Sequence, residues 1–376
     1  MSEIRRSDTM QTSTEFKGRP VRAVIDRSAF QHNINIAQQL APNSKVLVVI
    51  KADAYGHGLL EMAQAAGSHS TLAVATAEEA RQLVNKGVEN TIWVLEGPFS
   101  ETCLALSNQH SIVWVLHSFW QFDLLKTFHF SEKIDVCLKF DTGMHRLGFS
   151  ADDVTEALRV LSKLPGLQLK ACMSHFSGSD WPNSDAVTQQ IQCFDNIIQT
   201  HSLNHIPQSL SNSGGVLFYN QAHRDLVRPG IMLYGGMPHE NQRAQDCDLQ
   251  PVMRFESAVM SLRKISKGES VGYGAIWTAE RDSTIAIVAG GYGDGYPRYA
   301  PNGTPVVVAG QIASLAGRVS MDMLAIDVTD LDSISIGDNV ELWGKYVSVD
   351  QVAALSGTIS YDLLTGVTAR VPRVYK

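Results

Sequence analysis

Cysteine is scarce in this chain. There are five, an odd number, scattered at Cys103, Cys137, Cys172, Cys193 and Cys247. No two form a C-x-x-C pair, so neither a disulfide framework nor a metal site is indicated. A reducing, cytoplasmic compartment is expected. Cys137 and Cys172 lie inside apolar runs and read as packing residues. Long hydrophobic runs are also lacking, and nothing approaches the ~20 residues that span a bilayer. The opening segment does not read as a secretion signal, because Arg5-Arg6 is followed by polar SDTMQTSTEF rather than an apolar stretch. Basic residues are outnumbered, 31 against 38 acidic, for a net charge of −7. No basic run is interleaved with aromatics, which argues against a nucleic-acid partner. No low-complexity tract occurs. What remains is an ordinary globular mixture, 44% hydrophobic and 18% charged.

At ~100–200 residues per domain, a chain of 376 residues suggests two domains. Residues 1–18 read as a polar N-terminal extension. RPVRAVID supplies a β-type run in 19–27, expected to pair with the C-terminal domain. From 46 to 236, short β-type runs alternate with helical patterns such as 78–86, 151–164 and 185–201. The runs are VLVVI (46–50), TLAVA (71–75), TIWVL (91–95), SIVWVL (111–116), IDVCLKF (134–140), LQLKACMSHF (167–176), SLSN (209–212) and DLVRPGIMLY (225–234). Strands alternating with helices argue for βα units and a parallel sheet. Eight of them predict a (β/α)8 barrel over 28–240, with a doubly wound open sheet as the structural rival. MPHENQRAQDCDLQ (237–250) reads as a polar linker. Over 241–376, runs such as TIAIVAG, TPVVVAG, MLAIDVT and NVELWG, separated by Gly, Pro, Asp and Asn, predict an all-β domain.

Chemistry-bearing residues cluster at strand ends. Lys51 follows VLVVI, at the end of a barrel strand that opens on the active-site face. Desolvation there lowers an amine's pKa, and such an amine can form a Schiff base with a carbonyl cofactor. A strand-end lysine can equally reach solvent, and position alone leaves both readings open. The sequence that follows decides between them. KADAYGHG resembles the pyridoxal-lysine signature of alanine racemases, and the resemblance continues from Arg19 to Tyr375. It runs in order through DTGMHRLG, SHFSGSD, SNSGG, VRPGIMLYG, VGYGAIW, GYGDGYPR, GRVSMDM and ISYDLL. The usual variant of GRVSMDM carries Cys where this chain has Ser320.

That resemblance implies a homodimeric enzyme that uses pyridoxal phosphate and no metal to interconvert L- and D-alanine, by two-base proton transfer at the α-carbon. D-Alanine would then be supplied to peptidoglycan or degraded. Lys51 would be one base and the cofactor's anchor; Tyr273, between glycines, the other. Tyr55 would donate to the phosphate, with Asn212, Ser213, Gly230, Ile231 and Tyr361 completing its cradle. Small residues at a helix start suit an anion on their own account, because exposed N–H groups and the helix dipole favour one, though a plain helix cap would look the same. Arg146 would meet the phenolic oxygen and the substrate carboxylate, and Lys139, if carbamylated, would hold Arg146. Unmodified, Lys139 would repel it. Arg228 would face the ring nitrogen and, never losing its own proton, keep that nitrogen unprotonated. His175 would orient and acidify the catalytic phenol. His57 reads as a packing residue. The Met321 N–H would meet the substrate carboxylate with Asp322 nearby, and Tyr292 and Tyr361 would line a narrow entrance. The two bases would meet across a head-to-tail dimer.

Two other functions stand beside this one. A serine or broad-specificity racemase would share the architecture; a narrowing Tyr361 favours alanine. A non-catalytic cofactor carrier would need only a barrel and a lysine; a second domain with Tyr273 argues against it. A decarboxylase would place an acid, not Arg228, at the ring nitrogen.

Overall fold

The computed structural model describes residues 18–239 and 242–376. Apart from Gly18, the polar extension therefore lies outside the described residues, as does the 240/241 boundary. The chain divides into a unit spanning Phe30–Gln250 and a second made of the residues up to Ala29 together with Pro251–Lys376.

β1 (Arg22–Ile25) belongs to the second unit. The barrel strands follow: β2 (Lys45–Val49), β3 (Thr71–Val74), β4 (Ile92–Val94), β5 (Ile112–Leu116), β6 (Ile134–Lys139), β7 (Leu167–Met173), β8 (Gln208–Ser209) and β9 (Leu226–Val227). Valine and isoleucine dominate the early strands because β-branched side chains suit a pleated surface buried on both faces. All eight pair in parallel, and β2 pairs with β9 at Lys45↔Leu226 and Val46↔Val227. That pairing closes the barrel and rules out the open sheet. Only two residues of DLVRPGIMLY form strand. Pro229 has no N–H to continue the ladder, and the chain leaves it for a tight turn at Ile231–Tyr234.

The second unit holds β10 (Met253–Ile265), β11 (Ser270–Val271), β12 (Trp277–Thr278), β13 (Ser283–Ala289), β14 (Pro305–Val308), β15 (Gln311–Leu315), β16 (Met323–Asp327), β17 (Asn339–Trp343) and β18 (Arg373–Tyr375). β1 pairs antiparallel with β10 and parallel with β18. The first half of β10 pairs with β17, and its second half, past a register shift between Val259 and Ser261, pairs with β13. A bulge of this kind bends a strand. It lets β10, β13, β16, β15, β14 and β17 close on themselves. Two short helices, Val349–Leu355 and Ser360–Thr365, accompany this sheet. Among the described residues, no helix is long and apolar enough to cross a membrane, and no group of three or more His, Cys, Asp or Glu is placed to hold a metal ion.

Candidate active site

Lys51 begins a turn of unusual hand. Ala52, Asp53, Ala54 and Tyr55 all have φ between 52° and 54°, the left-handed helical region, which costs roughly 1–2 kcal/mol per residue with a Cβ. Tertiary bonds hold the turn. The Ala52 N–H donates to Glu79 Oε1 at 2.6 Å. Glu79 Oε2 accepts from the N–H groups of Ala75 and Thr76, completing a capping box with Thr76 at the start of the helix Ala77–Asn85. Asp53 Oδ1 accepts from the Leu59 N–H at 2.8 Å. Below the turn, Tyr55 and His57 pack on Tyr234, at ring separations of 4.6 and 4.7 Å, and the Tyr234 hydroxyl donates to the Val49 carbonyl. His57 is fully buried, its Nδ1 against the Ala54 and Tyr55 carbonyls. Burial lowers the Lys51 amine's pKa, and Arg146 lowers it further, while Glu96 and Glu79 act the other way.

Lys139 ends β6 and is 9% exposed. Burial, then Arg228 and Arg146, push its amine down to about 8. Arg228 is also buried, which pushes it down to about 10. It donates to Ser209 Oγ at 2.5 Å, to the Ser174 carbonyl at 2.6 Å and to the Leu210 carbonyl at 3.3 Å. Its guanidinium also faces His175 Nδ1 at 3.4 Å. Arginine can only donate, so Nδ1 accepts and the ring proton lies on Nε2. Burial, followed by Arg228, holds the His175 pKa well below its ordinary value, which keeps the ring neutral.

The DTGMHRLG loop is folded by its own aspartate. Asp141 Oδ1 accepts the N–H groups of Gly143, Met144 and His145, leaving Arg146 exposed. Gln190 ties this loop to the next. Its Nε2 donates to Thr142 Oγ1 and to the His175 carbonyl, and its Oε1 accepts from the Ser177 N–H and hydroxyl.

The cradle is built of small groups. Asn212 caps the helix Ser213–Phe218 through the Gly215 N–H. Ser213 Oγ accepts the N–H groups of Gly230 at 2.9 Å and Met232 at 3.3 Å. A Cβ on Gly230 would sit 2.3 Å from the Tyr55 hydroxyl oxygen. Four cations, Lys51, Lys139, Arg146 and Arg228, thus act on one another. None has an ion pair with a carboxylate among the described residues. A cofactor bearing a carbonyl, a phosphate and a phenolate fits this set. The amine can take the carbonyl, and the unpaired cations and the cradle can take the anionic groups.

The second unit carries the remaining residues. Tyr273 stands 68% exposed on the turn between β11 and β12, flanked by Gly272 and Gly274 at φ 74° and 77°. That turn lies beside Arg318, whose N is 3.6 Å from where a Gly272 Cβ would be. Tyr292 and Met321 are partly exposed on neighbouring turns, joined by a hydrogen bond from the Tyr292 N–H to the Ser320 carbonyl. Asp322 accepts from Arg370 at 2.8 Å. Tyr361 lies on the helix Ser360–Thr365. The barrel unit therefore gathers Lys51, Tyr55, Lys139, Arg146, His175, Asn212, Ser213, Arg228, Gly230 and Ile231. The sequence reading passed over Glu79, Gln190 and Asp294. The Thr76-x-x-Glu79 spacing is a legible helix start; the other two carry no such signal.

Residues 25–238 match the family described as alanine racemase, N-terminal domain, and residues 252–375 match alanine racemase, C-terminal domain. An alanine racemase of Pseudomonas taetrolens is 45% identical over 358 residues, covering 95% of this chain and 99% of that protein. A protein of Pseudomonas putida described as a catabolic alanine racemase is 44% identical, with the same coverage. The crystal structure of the biosynthetic alanine racemase of Pseudomonas aeruginosa superposes with a TM-score of 0.91 at 43% identity, covering 96% of this chain and all of that one.

Proposed function

The chain belongs to the alanine racemase family and is an isomerase interconverting L- and D-alanine, and we propose that Lys51 and Tyr273 carry the reaction on bound pyridoxal phosphate. The observation that carries this reading is Lys51 itself, an amine of lowered pKa at a barrel strand end among cations that make no ion pair with a carboxylate among the described residues. Tyr55, Asn212, Ser213, Gly230, Ile231 and Tyr361 would hold the phosphate, Arg146 the phenolic oxygen and the substrate carboxylate, and Arg228 the ring nitrogen. When bound, the cofactor supplies an electron sink for the α-carbanion.

Lys51 Nζ removes or returns the α-proton on one face, and the Tyr273 hydroxyl does so on the other. A neutral His175 with its proton on Nε2 supplies one donor and keeps Arg228 oriented. Arg228, bonded to neutral acceptors, stays charged; it would face the ring nitrogen of the bound cofactor without giving up its own proton, which would favour racemisation over transamination. A neutral Lys139 amine is the form that adds carbon dioxide, losing a proton and becoming a carbamate, which would then hold Arg146.

Tyr273 is displayed at an exposed tip rather than packed in its own unit, which supports a head-to-tail homodimer with each site built from two chains. Five free cysteines fit the reducing cytoplasm. Relatives of both biosynthetic and catabolic description match equally well, so the product serves either peptidoglycan precursor supply or alanine breakdown.

The test is borohydride reduction of the yellow holoenzyme followed by peptide mapping, which should place the cofactor on Lys51. A label on any other lysine refutes the assignment. Racemisation assays on alanine, serine, lysine and arginine should show alanine turned over best.

A further inference from the structure

The turn that carries Met321 is held from behind by an ion cluster built around one buried carboxylate. Asp294 is fully buried and lies in GYGDGYPR. Arg19 clamps it through two bonds, at 2.6 and 2.7 Å, and Arg370 adds a third at 2.7 Å. Asp294 Oδ2 also accepts the Gly291 N–H. Burial alone would raise this carboxyl's pKa; the bonds from Arg19 and Arg370 outweigh it and hold the group below its ordinary value.

Both arginines reach on to the Met321 turn. Arg370 donates to the Met321 carbonyl at 3.3 Å and to the Asp322 carboxylate at 2.8 Å, and Arg19 donates to the Asp322 carbonyl at 3.0 Å. The Gly293 and Gly290 N–H groups donate to the same two carbonyls. The preceding carbonyl, Ser320, accepts from the Tyr292 N–H at 3.1 Å. Three successive peptide planes are thereby fixed. A trans peptide points its N–H opposite its C=O, so the Met321 N–H is turned away from the 290–294 segment, and it has no acceptor among the described residues. The fit is close. A Cβ on Gly291 would lie 2.2 Å from the Ser320 carbonyl, and one on Gly293 would lie 2.8 Å from the Arg370 guanidinium.

We propose that Asp294, acting through Arg19 and Arg370, is a positioning residue for substrate recognition: it aims the free Met321 N–H at the carboxylate of the amino acid. The inference rests on the reading of Met321 as a carboxylate donor. Asp294 touches no substrate; its role is to keep a donor pointed outward.

The experiment compares the wild-type holoenzyme with Asp294→Asn, Arg370→Ala, Arg370→Lys and Arg19→Ala. A donor that binds the carboxylate equally in ground and transition states acts on KM, not kcat. For Arg370→Ala and Asp294→Asn the KM for alanine should rise about tenfold, with kcat within about twofold of wild type. The inhibition constant for propionate, a carboxylate without the amine, should rise by the same factor. Arg370→Lys should recover part of both losses. General loosening would instead lower Tm and kcat together, without matched changes in KM and propionate inhibition, and would overturn the proposal. Should Asp294→Asn fail to fold, Arg19→Ala at the exposed edge of the cluster carries the same expectation with a smaller shift. If propionate competes equally in wild type and folded variants, the clamp is refuted and the Met321 reading stands. If wild type racemises alanine but propionate does not compete, both fall.

Discussion

Lys139 is costly to keep as an unmodified cation. Its fall from 10.5 to about 8 corresponds to on the order of 3 kcal/mol of destabilisation once the buried amine is protonated. In the cofactor-free protein, in buffer free of carbon dioxide, that penalty is fully present below pH 8. It is relieved as pH rises from about 8 to 10.5, where the unfolded chain binds the extra proton. Lys139→Met should therefore melt higher than wild type at pH 7, and the gap should close across that window. Melting curves that run parallel from pH 7 to 10.5 would show that the amine carries no such penalty. Gly230→Ala should act differently. Its Cβ would press on the Tyr55 hydroxyl inside the cradle, so cofactor affinity should fall by an order of magnitude or more, about 1.4 kcal/mol at least. Titration of the apoprotein followed by absorbance measures this. Neither effect is legible in the sequence. A lysine closing an apolar run reads the same whether its amine is neutralised by neighbours or reaches water.

At the scale of one element, the Ala52–Tyr55 turn sets local preference against tertiary bonds. None of Ala-Asp-Ala-Tyr calls for a left-handed conformation, and KADAYGHG was legible as a signature without revealing the hand of its backbone. The hand is selected by Glu79, Asp53 and the packing of Tyr55 and His57 on Tyr234. Glycine usually destabilises a helix because it loses more freedom on folding. Here the sign should differ, because glycine relieves the left-handed strain. Ala52→Gly, at an exposed position, should leave stability unchanged or raise it by up to ~1 kcal/mol. A fall of about 1 kcal/mol in chemical denaturation, the ordinary helix cost, would mean the turn stores no such strain.

For the whole molecule the question is which chain supplies each base. On the proposed assignment of Lys51 and Tyr273 as the two bases of a homodimer, Lys51→Ala and Tyr273→Ala dimers would each lack one base at every site and should be nearly inactive. Coexpression pairs them, and in a shared-site dimer one site of each mixed pair collects both mutations while the other collects neither. With random pairing, recovery should approach ~25% of wild type. Were both bases drawn from one chain, demonstrably mixed dimers would remain as inactive as their parents. Purified homodimers mixed without subunit exchange should recover nothing under either arrangement.

The alternation of β-type and helical runs determined a chain of βα units followed by a sheet-rich segment, because burial demands a period of two on strands and 3.6 on helices. The order of motifs determined the family, which the matches over 25–238 and 252–375 show, and it nominated the residues proposed to carry the chemistry. The tertiary structure decided what period and motif cannot encode. It closed the sheet through β2 and β9, where a single register distinguishes a barrel from an open sheet. It wound Ala52–Tyr55 left-handed against local preference. It buried Lys139, Arg228 and His175 together, and burial holds the proton of each more loosely than water would. It brought Arg19, Asp294 and Arg370 together behind Met321 from positions up to 351 residues apart. Electrostatics and hydrogen bonding act over a few ångströms of space, a distance unrelated to separation along the chain.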